Sequence, residues 1–506
     1  MNSVRERTVL RSLSSHWYFA ALTVAVALAV YYLFLLSNGT FQLLAPEMLD
    51  KVFNNMLIHL LRGEFTVDRD AIDFEAFTRD GKTYAYFGVF PALLRLPALP
   101  FVDIAQAHLA RLSCLTAVVA YVSLQLRMLL IVHQSLPPEN RVGGFLGVMV
   151  AATVLSGPQL YILGSASIYH EPIFWAAAMA AAFNLVVVRA AFGGGGLGAR
   201  DLVWLAILAG LAISTRASIG AALYLGTVLL VAWTAWERHV AESGKRWSPA
   251  NGGNAPIAIW AMARDPAILL PLVVLLLLAV AAGAVNFARW GDPFSFIDFR
   301  YYDFSRLHRP NDFAVLRNYG EINVGRAWIG ALYYATGVPY VLKAVPPFAE
   351  FLHSRFQAIE APPIMPLLTN PLTIALGAVG LYRLWSKPPV SASGAALLRL
   401  ALIAHAAAVV VIFAAMYLAL RYRFDLAPFM TLAALVGYRA ASIFAAETSE
   451  SWRKRLRVAA AGLCVLGIVG SHYVLLIHKV WSVAVPMPVR LTLLPFAPFA
   501  HAAFGQ

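Results

Sequence analysis

Long apolar runs decide what this chain can fold into. A bilayer's hydrocarbon core is about 30 Å thick, so a helix needs about 20 mostly apolar residues to cross it. Runs of that kind, broken by charged or Pro/Gly-rich stretches, lie near 17–36, 107–133, 144–164, 172–188, 201–214, 218–236, 267–288, 371–385, 398–420, 426–446 and 458–478. Of the 506 residues 60% are hydrophobic and only 13% charged, about half the charge of an ordinary soluble domain. The expected fold is an all-α integral membrane protein, one polytopic unit over 1–506 with about eleven transmembrane helices. The first run follows Arg5, Arg7 and Arg11, has full spanning length, and is followed in SNGTFQLLAPE by no small-x-small cleavage pattern. It reads as an uncleaved signal anchor.

The net charge of +13 could suggest a nucleic-acid partner, but its distribution follows the membrane. With a cytoplasmic N-terminus, alternate loops collect Arg141; Arg189 and Arg200; Arg238, Lys245, Arg246 and Arg264; Arg383, Lys387 and Arg399; and Arg439, Arg453, Lys454, Arg455 and Arg457. The short opposite loops hold only Arg216, Arg421 and Arg423. This is the positive-inside asymmetry. It leaves no role for nucleic acid and orients the chain in a cytoplasmic (inner) membrane, with a C-terminal tail, 479–506, outside. Two long segments, 38–106 and 289–370, then fall on the outer side, and chemistry is expected there. Cys114 and Cys464 both sit in apolar runs, which excludes a disulfide framework or a cysteine metal site. The GGGG at Gly193 to Gly196 lacks the Lys-Ser/Thr of a phosphate-binding loop and reads as a linker.

The stretch PEMLDKVFNNMLIHLLRGEF, Pro46 to Phe65, is too polar to span. Met48, Leu49, Val52, Phe53, Met56, Leu57, Leu60 and Leu61 recur at helical spacing, with Glu47, Asp50, Lys51, Asn54, Asn55, His59 and Arg62 opposite. An amphipathic helix over 47–62, lying in the membrane interface, is expected.

Ionisable groups near a bilayer face are costly unless paired, hydrated or used, so those on the outer side are functional candidates. Glu47 and Asp50 begin the amphipathic helix, where Glu47 serves equally to complement a helix dipole. DGKTYAYFGVFPALLR, Asp80 to Arg95, contributes Lys82 and Tyr84. Tyr169, His170 and Glu171, in SIYHEPIFW, form a short loop; the adjacent His-Glu lacks the spacing of a metal motif. Arg216, in STRAS, fits a functional role and an interfacial snorkel equally. Arg421, Arg423 and Asp425, in LRYRFDLAPF, stand in a connection too short and too basic for its side of the membrane. Together these clusters suit group transfer from a lipid phosphate. A carboxylate can take the proton of an acceptor hydroxyl, while guanidinium groups hold the phosphate leaving group. Tyr86, Phe87, Tyr301 and Tyr302 could stack on sugars, though interfacial aromatic belts explain such residues as well.

The chain resembles the GT-C superfamily of polytopic glycosyltransferases, in particular the protein mannosyltransferase and aminoarabinose transferase branch. PEMLDKVFNNMLIHLLRGEFTVD followed by DGKTYAYFGVFPALLRLP looks like that family's first outer loop: an acidic motif, an interfacial helix, a Gly and an aromatic/Pro-rich run. NFARWGDPFSF, from Asn286 to Phe296, is similar to its Arg-aromatic-Gly-x-Pro sequence after a middle span. LRYRFDLAPFMTLAALVG, from Leu420 to Gly437, is similar to its Arg-Tyr entry into a late span. The resemblance implies a sugar donor carried on polyprenyl phosphate, inverting transfer at the outer face, and an outer-loop carboxylate as base. It implies a lipid, glycan or protein acceptor. In place of adjacent Asp-Glu this chain has Glu47 and Asp50, with Asp50 favoured by its spacing to Gly63. Arg421 or Arg423, with Arg216, would contact the donor phosphate. Tyr169, His170, Glu171, Lys82 and Tyr84 are candidate substrate contacts by position. No cofactor is assigned, and the resemblance leaves a divalent metal open as an assisting ion.

Two other readings compete. An oligosaccharide polymerase or ligase using a diphosphate-linked glycan shares the many spans, outer arginines and late outer loop, but the early amphipathic helix counts against it. A flippase or transporter for a lipid-linked saccharide would show paired halves and charges near the midplane, whereas here the charges gather at the outer ends.

Overall fold

The computed structural model describes residues 20, 22–243 and 265–481, apart from positions 310, 361 and 363. The start of the first apolar run, Arg5, Arg7, Arg11, Lys245, Arg246 and Arg264, which were expected on the cytoplasmic side, and the tail from 482 lie outside the described residues. Every expected apolar run holds a helix: Leu22–Leu36, Ala110–Gln134, Phe145–Leu155 continued by Pro158–Ile162, His170–Gly193, Ala199–Ile213, Ala217–Ser243, Pro266–Trp290, Pro371–Ser386, Ala392–Ala414, Ala427–Glu447 and Glu450–Trp481. Among the described residues, 8 helices are long and apolar enough to cross a membrane. Ala199–Ile213 and Pro371–Ser386 have 15 and 16 residues, about 23–24 Å at 1.5 Å per residue, short of a full crossing on their own. The chain is a multi-pass α-helical membrane protein, and its strands are two two-stranded pairs among the described residues.

Packing ranks the helices from centre to rim. In His170–Gly193 the most apolar window is 72% buried inside the protein, against 22% for Pro266–Trp290. The former is the central helix, and the latter turns its Leu-rich sides to lipid. Lipid tails do not push apolar helices together, so close packing depends on small side chains. Pro371–Ser386 and Ala427–Glu447 meet backbone to backbone: a Cβ added at Gly437 would lie 1.8 Å from the Leu376 carbonyl oxygen, and one at Gly380 1.9 Å from that of Ala433.

The first outer segment departs from expectation. Its amphipathic helix runs Val52–Leu61, not 47–62. Leu49 has φ +55°, and the Asp50 carboxylate accepts the Glu47 N–H at 2.9 Å, so the residues before Val52 form a turn. Val52, Phe53, Met56 and Leu57 are fully buried and share a core with Phe87, Ala92, Ile104 and Ile168. Val52, Phe53, Met56 and Leu57 of the apolar face thus pack inward on the protein, while Met48 and Leu61 stay exposed. Beyond it, Phe77–Arg79 pairs antiparallel with Lys82–Tyr84. Asp80 and Gly81, at φ +51° and +73°, make the type I′ turn that an Asp-Gly hairpin favours.

The second outer segment closes over the same end. Phe77 bridges to Tyr302, Ile322 bridges to Ala415, and Ala358–Ile359 runs parallel to Tyr417–Leu418. Residues from both long segments and from the short connections at 169, 214–218 and 415–422 therefore converge on one end of the bundle.

Candidate functional site

At that end lies a cavity of about 550 Å³. Its walls come from Glu75 and Tyr86–Gly88, from Tyr169, from Ser214–Ser218, from the end of Pro266–Trp290 at Asn286 and Arg289, from Tyr302, Phe304, Ser305, Arg309 and Asp312 with Glu321 and Gln357, and from Met416, Tyr417, Arg421 and Tyr422. Four guanidinium groups (Arg216, Arg289, Arg309, Arg421) and three carboxyl groups (Glu75, Asp312, Glu321) line it, among many aromatic rings. Gly88 belongs to the wall because nothing larger fits: a Cβ there would stand 2.2 Å from the Ser214 carbonyl oxygen.

Arg421 and Arg216, both expected at the donor phosphate, line the cavity, but they are bound differently. Arg421 donates from Nη1 to Glu360 at 2.8 Å, and its guanidinium lies 5.0 Å from the Tyr169 ring centre and 5.3 Å from that of Tyr422. Tyr417 donates its hydroxyl to the same Glu360 oxygen at 2.8 Å. Glu360 thus anchors one of the five N–H donors of the fork. Arg216 commits Nε and Nη2 to Asp425 at 2.7 and 2.6 Å, and Asp425 is buried. This pair ties the Ser214–Ser218 turn to Leu420–Leu426 and leaves Arg216 fewer free donors. Arg423 does not reach the cavity. On a helical turn, residues two apart face roughly opposite ways, and Arg423 donates instead to Thr369 and, at 2.6 Å, to Asn370.

Tyr169, from the substrate-contact set, lines the cavity; the others do not. His170 is buried against the Ser165 carbonyl oxygen at 2.6 Å. Glu171 is 1% exposed and bonded through both oxygens to Arg95, 2% exposed, with Ser113 Oγ donating at 2.5 Å. Lys82 is exposed on the hairpin, and Tyr84 packs on Trp290.

Asp50 and Glu47 also lie outside the cavity lining. Asp50 is buried, with Oδ2 2.7 Å from His108 Nδ1 and 2.9 Å from the Glu47 nitrogen. Glu47 accepts from Arg111 Nε at 2.6 Å. Their oxygens fasten the turn before Val52–Leu61 to the start of Ala110–Gln134.

Several cavity residues carried little signal in the sequence. Glu75 is 8% exposed and accepts the Tyr302 hydroxyl at 2.9 Å. Burial raises its pKa, against opposing pulls from the Tyr169 and Tyr302 hydroxyls and the Arg421 charge. Glu321 is pushed up to about 7, by burial first and then by the charge of Asp298. Asp312 accepts from Ser305 at 2.8 Å and from Gln357 at 2.7 Å. Arg309 is exposed, with its guanidinium over Phe304 and no carboxylate partner among the described residues. Arg289 is 2% exposed and donates to the Phe87 carbonyl at 2.8 Å. NFARWGDPFSF, whose Arg-aromatic-Gly-x-Pro pattern begins at Arg289, pointed to this helix end without assigning Arg289 a role. Among the described residues, no group of three or more His, Cys, Asp or Glu is placed to hold a metal ion.

No protein-family model and no curated protein matches the chain. Among solved structures, it is similar to the archaeal oligosaccharyltransferase AglB from Archaeoglobus fulgidus in complex with an inhibitory peptide and a dolichol-phosphate, at 16% identity and TM-score 0.45 over 90% of this chain and 55% of that one. A structure of the Archaeoglobus fulgidus oligosaccharyltransferase with zinc and sulfate is similar at 14% identity and TM-score 0.41, over 89% and 52%. ArnT from Cupriavidus metallidurans bound to undecaprenyl phosphate is similar at 13% identity and TM-score 0.38, over 97% and 74%. The chain spans about half the length of the oligosaccharyltransferases that it resembles.

Proposed function

We propose that the chain is a glycosyltransferase of the GT-C kind, moving a sugar from a polyprenyl-phosphate donor to an acceptor hydroxyl or amide at the outer face of the cytoplasmic membrane, with inversion. One observation carries this reading: a single cavity at the membrane-end of the bundle combines Arg421 and Arg309, which keep donors to spare, with a buried carboxyl group, Glu75, and a lining of Tyr and Phe rings. A phosphate that departs with negative charge is stabilised by preplaced guanidinium groups. Rings offer flat apolar faces to a sugar. A donor tethered by a polyprenyl tail would reach a cavity at the helix ends without leaving the bilayer. Arg216 and Asp425 form a buried prop that holds the cavity's floor beside Arg421. The acceptor is a lipid, a glycan or a protein.

The test is transfer of labelled sugar from a panel of polyprenyl-monophosphate donors into membrane acceptors, comparing wild type, Arg421→Lys and Arg421→Ala at matched expression. Transfer by wild type, reduced in the lysine variant and lost in the alanine variant, is expected. Well-folded wild-type protein that uses only diphosphate-linked glycans would make it a polymerase or ligase instead, and movement of lipid-linked sugar without a transfer product would make it a transporter.

A further inference from the structure

We infer that Glu75 is the group that takes the proton from the acceptor, a role that rests on the glycosyl-transfer reading above. The carboxylates around the cavity differ in what already holds them. Glu360 is bonded to Arg421 and Tyr417, and Asp425 to Arg216 and Ser218. Asp312 is held by Ser305 and Gln357. Asp50 and Glu47 are fastened to His108 and Arg111 outside the cavity. Glu321 also lines the cavity without an ion pair, but it is less buried and faces Asp298 and the Phe299 backbone, not Arg421. Glu75 lines the cavity, is nine-tenths buried, has no ion-pair partner among the described residues, and feels the Arg421 charge.

Its setting suits a base. Tyr302 donates to Oε1 at 2.9 Å, which orients the carboxylate. The groups facing it come from four elements: Tyr86 from its own segment, Tyr169 from the connection before His170–Gly193, Tyr302 from the second outer segment, and Arg421 from Leu420–Leu426. Burial leaves the carboxylate poorly solvated and raises its pKa, against the lowering pull of the Tyr169 and Tyr302 hydroxyls and the Arg421 charge. Arg421, assigned above to the phosphate, is its neighbour. Base and leaving-group cation therefore line one cavity.

The step balances within the site. Glu75 removes the proton of the acceptor O–H or N–H as that atom forms its bond to the anomeric carbon. The bond from that carbon to the phosphate oxygen breaks, and its electron pair leaves on polyprenyl phosphate beside Arg421. Glu75 then returns the proton to water.

The experiment uses the full chain, purified in lipid nanodiscs, with the monophosphate donor that wild type uses. Glu75→Gln is expected to lower kcat by about 10²–10⁴-fold, the usual contribution of a positioned base, with KM for the donor and binding of undecaprenyl phosphate unchanged. Glu75→Asp should recover part of that loss. The wild-type kcat should fall as pH drops through a midpoint above 4.5, the ordinary value for this group, because the base works only when ionised. Wild-type turnover by Glu75→Gln would remove Glu75 from the chemistry while leaving the transfer reading intact. A rise in KM at constant kcat, or lost undecaprenyl-phosphate binding, would overturn the base in favour of a binding or structural role. Wild type inactive with every monophosphate donor would instead sink the reading on which the assignment depends.

Discussion

Arg95→Ala should destabilise the protein by about 3–5 kcal/mol at neutral pH, because it strands a buried carboxylate. Arg95 and Glu171 are 2% and 1% exposed and are bonded through two guanidinium nitrogens to both carboxylate oxygens. Arg95 also donates to the Pro91 carbonyl at 3.0 Å and to Asn54 at 3.3 Å, so one side chain joins the first outer segment to the central helix. Once Arg95 is removed, Glu171 keeps only the Ser113 hydroxyl at 2.5 Å. A stranded carboxylate can escape by taking up a proton. Glutamic acid in water titrates near 4.3, so protonation at pH 7 costs about 2.7 pH units at 1.36 kcal/mol each, close to 4 kcal/mol. That confines the penalty to the lower part of the range, about 3–4 kcal/mol, and makes it shrink by about 1.4 kcal/mol for each unit of acidification between pH 7 and 5. The assay is the thermal unfolding midpoint of purified protein at both pH values. Arg95→Ala should fall well below wild type at pH 7 and less so at pH 5, and Arg95→Ala/Glu171→Gln, lacking both charges, should be more stable than Arg95→Ala alone. An equal deficit at both pH values refutes the stranded-charge account. Glu171→Gln that keeps its midpoint but loses transfer would return Glu171 to the chemistry.

Gly437→Ala should lower the unfolding midpoint by the equivalent of about 1–3 kcal/mol through overpacking, since its Cβ would meet the Leu376 carbonyl oxygen at 1.8 Å. Gly462→Ala, with nothing within 4 Å of the added carbon, should leave the midpoint in place, and a matching drop in both would reject the close-contact explanation. Arg423→Gln, which disturbs the bonds to Thr369 and Asn370, should reduce stability while the donor KM stays constant. A raised KM at wild-type stability would put Arg423 back at the phosphate.

The site was partly legible because polar groups are expensive near a bilayer. Arg421, Arg216 and Tyr169 stood out against apolar surroundings, and the structure brings all three to the cavity wall. Glu75 did not stand out. It lies in an outer stretch with Asp68, Asp70, Asp73 and Asp80, and in such a run nothing local says which carboxylate will be covered. Tyr302, which covers it, is 227 residues away in the chain. His170 and Glu171 mislead for a related reason: neighbours on a helix point about 100° apart, so one meets Ser165 and the other Arg95.

What the sequence determined by itself was therefore whatever depends on short-range pattern. Apolar length placed helices at the expected runs, and Asp80-Gly81 specified its own turn. Tertiary structure decided the destination of each polar group. The same amphipathic repeat over Val52–Leu61 can face lipid or protein, and the core containing Phe87 and Ile168 turned it inward. Of the acidic groups in the first outer segment, Asp50 and Glu47 became fastenings and Glu75 became a cavity wall. A charge settles where its desolvation is best offset, and the partners that offset it are supplied by segments far away in the chain.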